Sequence, residues 1–431
     1  MLDKDNNKDK PVNFYKEKDV LGMNKPSFDK DAENPHKGKS DRVETSEKVE
    51  NQSKSKNPWV ASFLNLMMLG LGHVYIGKVK NGIFFFLGIM LIAISIRFFA
   101  FNFYIFVVLI TVFVTYYLFV IRDAFLYVKS SPKVPSKSYD KWYVYLLIIV
   151  LPNLFFNMAP KDAIDKLTPL NFVTIQTSSM SPALQVGDHV SIERTGDIQP
   201  NDVMVFRYPE DTTTLYINRC IGIPGDHLKI KNSIVFINNK PVDNGLKLKF
   251  QYQIVTNGDP LDQGLFEEYG IARHNQIDIN TYGINITEET ANKFLKTSSV
   301  INVIRSGESN DNSSRLFPKN AITGWTVDNY GPIYIPKKGE EIKLTKTNIG
   351  IYGSLILMEN RTSSITDSIV QIDNKIIEDY TFKRNYYFVL GDNRHGSLDS
   401  RYWGFVRESY IVGKGLYRYW AKDMGRIGED I

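Results

Sequence analysis

Three stretches of the sequence gather residue types able to do acyl or proton-transfer chemistry. The first is TSSMSPAL, Thr177 to Leu184, followed by Gly187-Asp188. A serine followed by Met, one further residue and Pro, entering a strand after an apolar region, makes Ser179 a candidate nucleophile. A serine hydroxyl is weak alone and needs a base beside it. Taken by itself, the segment reads more readily as a Ser/Thr-rich turn. The second stretch is INRCIGIPGDHLKI, Ile217 to Ile230, in which strand-like residues lead to the turn signal Pro224-Gly225-Asp226. Locally this is a plain strand–turn–strand. The third is YYFVLGDNRHGSLDSRYWGFV, Tyr386 to Val406. An apolar strand ends at Gly391-Asp392-Asn393, a dense polar loop follows, and Tyr402-Trp403-Gly404-Phe405 closes it. Asp399 and Arg401 are close enough to brace that loop, and Ser397 can donate or accept a hydrogen bond. A salt-bridged β-turn is the plainer reading, but the length and order of the motif argue against coincidence.

These stretches need elements to position them. The chain has 431 residues, enough for two or three domains. Hydrophobic residues make up 43% and charged residues 23%, with mean hydropathy -0.22. That average hides unlike parts. Residues 1–58 are rich in Lys, Asp, Glu, Asn and Ser with no apolar periodicity, a composition expected to stay disordered. From Trp59 the chain turns apolar. Runs at about 82–100, 103–121 and 142–158 are each a candidate membrane span. The run 59–77 is interrupted by Asn65, Gly70, Gly72 and His73, which suits an interfacial or re-entrant segment. Residues from about 160 onward are polar and rich in β-branched and aromatic residues. Short runs such as Val190-Ser191-Ile192 and Ser233 to Ile237 are bounded by turn formers, as in an antiparallel β domain.

Charge and cysteine count narrow the classes. The net charge is +5, from 52 basic and 47 acidic residues, too balanced to suggest nucleic-acid binding. One cysteine excludes an intramolecular disulfide framework and a cysteine-based zinc site. Lys129, Lys133, Lys137 and Lys141 mark the linker before the last apolar run as cytoplasmic, and Lys78 and Lys80 mark the earlier loop likewise. Two spans then return the chain to the cytoplasmic side, and the run at 142–158 exports everything after it. The alternative is four spans with the tail outside.

The three motifs, in this order and after apolar runs, resemble type I signal peptidase, the membrane-bound Ser–Lys peptidase that removes leader peptides from exported proteins. The resemblance covers the chain from about residue 170, and the third motif is its most specific part. Trp325 to Leu344, Tyr380 to Phe388 and the pair Arg219-Cys220 look like the form found in Bacteroidota, and GLGHVYIGKVKNG is similar to membrane extensions attached to some members. The resemblance implies transmembrane helices followed by a mostly-β catalytic-type domain of antiparallel sheets, signal peptidase/LexA-like, with a β-rich insertion. The expected layout is a cytoplasmic tail 1–58, a membrane region 59–158, a peptidase-like β domain from 160–243 and 381–431, and an inserted β-rich subdomain 244–380. Ile351 to Met358 and Thr381 to Val389 read as strands in or near the insertion. The expected location is the inner (cytoplasmic) membrane, multi-pass, with the C-terminal domain periplasmic. The expected partners are signal-peptide-bearing preproteins and membrane lipids, with no nucleic acid, metal or cofactor.

The resemblance also assigns roles. Ser179 is the nucleophile, and Thr177 supplies an oxyanion-hole hydroxyl. Ser397 supports the base, Asp399 and Arg401 brace its loop, and Gly391, Asp392, Asn393 and Arg394 match the family turn. The general base should be a lysine just before Arg219, and this chain has Asn218 there. An amide has no useful basicity near neutral pH, so Asn218 is not a competent base. Two functional readings follow. In one the peptidase is active with a substitute base, His395 first and His227 or Lys229 behind it. In the other a non-catalytic homologue binds exported chains or a partner peptidase. A structural role for a membrane-anchored β domain is the third possibility, and the intact third motif argues against it.

Overall fold

A computed structural model describes residues 53–431 apart from 132, 136–138, 159–167, 196, 244, 272–273, 307–314, 320–322 and 367–368. The expected disordered tail therefore lies almost wholly outside the described residues. Two apolar N-terminal helices precede a mostly antiparallel β structure, the expected fold class.

The helical part begins with α1 (Pro58–Met67) and α2 (Leu71–Tyr75), followed by α3 (Val79–Phe99) and α4 (Phe103–Ser130). At 21 and 28 residues, α3 and α4 are long and apolar enough to cross a membrane. A 17-residue helix, α5 (Trp142–Met158), follows the linker. Asparagines cap two of these starts: Asn57 accepts from Trp59 N–H, and Asn102 from Ile105 N–H. α4 runs nine residues past the sequence-based boundary at 121, because no helix breaker occurs before Pro132 and Ala124 and Val128 bury against Ala61 and Ile76.

The polar interruptions of 59–77 have structural work. Asn65 Oδ1 accepts from Gly70 N–H (3.0 Å) and Gly72 N–H (2.8 Å), and its Nδ2 donates to Val120 O (3.2 Å). His73 Nε2 lies 3.0 Å from Asp123 Oδ2 on α4. The chain thus breaks between α1 and α2 and folds back onto α4. Gly70, at φ +90°, sits against Gly82, where a side-chain carbon would meet the Gly82 carbonyl oxygen at 2.1 Å.

The two ends of this bundle have different neighbours. Ser53–Ser55 pairs antiparallel with Lys133–Pro135, and Lys56 Nζ binds Asp140 at 2.7 Å. At the other end Tyr417 OH donates to Ala100 O (2.8 Å), and Phe103 and Phe106 pack on Tyr417.

The β part is built on a seven-stranded antiparallel sheet. Its strands are β1 (Leu170–Thr174), β2 (His189–Glu193), β3 (Val203–Tyr208), β4 (Asp211–Gly222), β5 (Tyr386–Leu390), β6 (Val406–Arg407) and β7 (Ile411–Trp420). They lie in the order β6-β5-β4-β3-β7-β2-β1. Residues 244–380 do not share one core. Residues 249–305 form a four-stranded sheet around Phe250, Ile254, Ile284 and Phe294. Residues 316–382 pack instead with 221–242 and the aromatic strand β5.

One expected strand is a helix. Ile351 to Met358 belongs to α6 (Lys346–Glu359), which opens with a capping box between Thr345 and Asn348. Ile349, Tyr352 and Ile356 recur at helical spacing and are buried, so the apolar run obeys a period near four rather than two. The run Thr381 to Val389 is split: Asp379–Thr381 and Tyr386–Leu390 are strands, with Phe382 to Asn385 between them.

Candidate active site

Ser179 sits in the turn that follows β1. Met180, the next residue, is fully buried with Ile175, Leu184, Val190 and Val205, which pins the turn and leaves Ser179 half-buried at its surface. Thr177 Oγ1 lies 3.0 Å from Ser179 Oγ. Both residues line a cleft of about 680 Å³. One wall is Val173 to Ser179, continuing β1, an edge strand of the sheet. The other is Thr214 to Asn218 of β4, with Gly396 and Leu398 closing one side. β5 pairs with β4 only from Arg219 to Gly222, so the stretch that faces the cleft keeps an edge β5 does not cover.

The third motif holds the Ser179 turn from behind. Asn393 N–H donates to Ser179 O (2.9 Å), and Asn393 Nδ2 donates to Ser178 O (3.3 Å). Gly391 permits this approach: a side-chain carbon there would lie 2.2 Å from Ser397 Oγ and 2.6 Å from Ser179 O. Asp399, fully buried, accepts from Gly391 N–H and binds Arg401 through Nε (2.8 Å) and Nη2 (2.7 Å). Arg401 Nη2 also donates to Arg394 O. Arg219 forms a second two-point bridge, to Asp392, at 2.8 and 2.6 Å. Arg394 forms a third, to Asp243, at 3.0 and 2.7 Å. Three buried or nearly buried ion pairs therefore fix one short turn against the nucleophile loop.

Asn218 is 1% exposed. Its Nδ2 donates to Ser397 Oγ at 3.3 Å, and its Oδ1 has no partner among the described residues. The structure thus brings Ser179, Thr177, Asn218 and Ser397 to one place. An amide there can orient a hydroxyl, but it cannot take a proton from Ser179 at neutral pH.

His395 is not available as the substitute base. Its Nδ1 accepts from Gln251 N–H (3.2 Å), and its Nε2 lies 3.1 Å from Asp328, so both nitrogens are committed away from Ser179. Burial alone would raise the Asp328 carboxyl. The hydrogen bond and charge of His395, with the Ser233 hydroxyl and Arg401, hold it below the usual carboxylate range. His227 packs at a tilt against Tyr334, and Lys229 Nζ donates to Asn239 Oδ1 (3.0 Å). Neither lines the cleft. Burial pushes the Cys220 thiol up, so it stays a neutral core residue.

The sequence reading missed two groups. Asn393 was legible only as part of a turn, because its partners at Ser178 and Ser179 are more than two hundred residues earlier. Asp328 sits in a segment noted for its resemblance, with nothing local to show that it faces His395. Among the described residues no group of three or more His, Cys, Asp or Glu side chains could hold a metal ion.

With this geometry in view, comparison with known proteins is decisive for the family. The family described as signal peptidase, peptidase S26, matches residues 147–297 and 334–420, more than half of the chain. The chain belongs to the signal peptidase family. Signal peptidase I of Buchnera aphidicola subsp. Schizaphis graminum is 26% identical over 264 residues, 56% of this chain and 64% of that protein. Signal peptidase I of Buchnera aphidicola subsp. Baizongia pistaciae is 23% identical over 304 residues, 69% of this chain and 80% of that protein. Signal peptidase I of Pseudomonas fluorescens is 31% identical over 137 residues, 28% of this chain and 44% of that protein. The chain spans a little under two thirds of the first of these relatives.

Proposed function

We propose that this protein is a membrane-bound serine endopeptidase that removes leader peptides from signal-peptide-bearing preproteins by acyl transfer through Ser179. The observation that carries the reading is the Ser179 hydroxyl itself, half-buried in a cleft between two strand edges with Thr177 Oγ1 at 3.0 Å. An extended peptide laid in the cleft adds a strand to either edge and brings its carbonyl to Ser179. Ser179 Oγ attacks the carbonyl after a small residue of an Ala-x-Ala-like site. The Thr177 hydroxyl and the Ser179 N–H stabilise the oxyanion, each donor contributing about 3–4 kcal/mol. Asn218, Ser397, Asp399 and Arg401 hold the surrounding loop.

In this reading α3, α4 and α5 cross the inner membrane, α5 carrying the chain from the cytoplasmic linker to the β domain on the periplasmic face. The tail and the linker near 133–141 share the cytoplasmic side. The support is the lysine-rich linker, the pairing of Ser53–Ser55 with Lys133–Pro135, and the contact of Ala100 with Tyr417 at the opposite end.

Asn218 favours one second reading, a non-catalytic homologue that keeps the groove and binds exported chains or a partner peptidase. One assay separates the two: preprotein cleavage by the purified full chain beside Ser179→Ala and Asn218→Lys. Cleavage by the wild type that Ser179→Ala abolishes supports the peptidase. A silent wild type with an active Asn218→Lys supports the binding protein. Silence in both rejects peptidase chemistry for this fold.

A further inference from the structure

We propose that Lys249, on the strand Lys249–Thr256, supplies the amine that activates Ser179 in place of the lysine absent at position 218; the proposal rests on the peptidase reading above. Four observations lead to it. First, Lys249 is stitched to the turn that holds the nucleophile. Its N–H donates to Asp392 O (2.9 Å), its carbonyl accepts from Arg394 N–H (2.8 Å), and Lys249 and Asn393 form a parallel bridge. Second, residues paired in a parallel bridge project side chains to the same face. Asn393 uses that face to reach Ser178 O, and the open position at Gly391 points at Ser179 O. The neighbouring Phe250 turns the other way, against His395 and into its own core. Third, the Lys249 side chain is half-buried and has no hydrogen bond or ion pair among the described residues. Fourth, burial holds its ammonium below the ordinary lysine range, with no carboxylate to offset it.

A lysine that is desolvated and unpaired is the kind that gives up its proton to become a base. The ammonium is carried on a flexible four-carbon stem. In the free protein the side chain neither lines the cleft nor hydrogen-bonds Ser179, so activation requires the stem to turn toward Ser179 Oγ when the peptide binds. The neutral Nζ then takes the Ser179 Oγ proton as the Oγ–carbon bond forms, and the carbonyl electron pair moves to the oxyanion. When the oxyanion collapses, the carbon–nitrogen bond breaks and Nζ passes its proton to the leaving amine. A water then attacks the ester while Nζ takes its proton. Nζ finally returns that proton to Ser179 Oγ as the leader peptide departs.

The test is preprotein cleavage by the full chain and by Lys249→Met, Lys249→Arg, Asn218→Lys and the double variant Lys249→Met with Asn218→Lys. Lys249→Arg keeps the stem and the charge but cannot deprotonate, and thermal melting checks that each variant is folded. The expected result is a fall in kcat of about 100-fold or more for both single Lys249 variants, with KM changed by only a few fold. Asn218→Lys should restore cleavage in the Lys249→Met background. Wild-type kcat/KM should rise with pH through a midpoint below about 10.4. A wild type that cuts while folded Lys249→Met cuts equally overturns the proposal and leaves the peptidase reading standing. A silent wild type with an active Asn218→Lys also overturns it, in favour of a binding protein. If neither cuts, the peptidase reading fails and this proposal with it.

Discussion

Arg401 is 2% exposed and holds Asp399 by two hydrogen bonds, so neither charge has water to fall back on. Arg401→Met should therefore destabilise the fold by about 3–5 kcal/mol, read as a lower melting temperature together with loss of cleavage. His395 has a milder role. His395→Ala leaves Gln251 N–H unpaired and the Asp328 carboxyl with the Ser233 hydroxyl alone among the described residues, and should cost about 1–3 kcal/mol, measured by chemical denaturation. The same pair gives a pH dependence. The folded Asp328 carboxyl titrates below the unfolded value of about 3.9, so the folded state binds fewer protons between the two values. The stabilisation is present above about pH 3.9 and is lost as pH falls through the folded value. Acid unfolding of His395→Ala should show a shallower dependence there. At this scale the sequence was readable where roles lie within one motif. Ser397, Asp399 and Arg401 sit within five positions of one another. It was unreadable for His395, whose ring is claimed by Gln251 and Asp328, 144 and 67 residues away.

Elements, not single residues, set the distance between the nucleophile loop and the third motif. The 391–394 turn approaches Ser179 closely because Gly391 has no side chain to keep the two apart. Gly391→Ala should force the turn outward and cost about 1–3 kcal/mol of overpacking. Its larger effect should fall on chemistry, with cleavage dropping more than melting loss accounts for. A parallel fall in both would mean that the close approach serves stability alone. The alternation Val190-Ser191-Ile192 made β2 legible, and β5 was legible as a short apolar run ending at Gly391, buried at every residue. The same cue failed at α6. Ile351 to Met358 is apolar on nearly every residue, which fits a buried strand or a buried helix, and the capping box at Thr345 was the local signal that decided it. The end of α4 was missed because hydropathy falls after Ile121 although the backbone has no reason to stop. Helix continues where packing against α1 and α2 rewards it.

Across the whole molecule, the helical part and the β part meet where Ala100 and Phe103 touch Tyr417, while Ser53–Ser55 and the linker share the far end. Single cysteines can read this arrangement, because Cys220 is fully buried and should not compete for reagent. In intact cells, Asn275→Cys should react with a membrane-impermeant thiol reagent that reaches the periplasm, and Ser55→Cys should be protected until the membrane is opened. Labelling of Ser55→Cys from outside would place the tail externally. Composition hinted at this layout through the lysine-rich linker, but the separate cores around 249–305 and 316–382 arise from long-range pairing that no local pattern encodes. The claim on which the rest depends is that Ser179 becomes an ester of the leader peptide. Acid-quenched mixtures of the full chain and a preprotein can be digested and weighed. The mass of the peptide containing Ser179 should rise by that of the leader's C-terminal digest fragment less one water, and Ser179→Ala should give neither adduct nor product. Cleavage that persists in Ser179→Ala would contradict the claim.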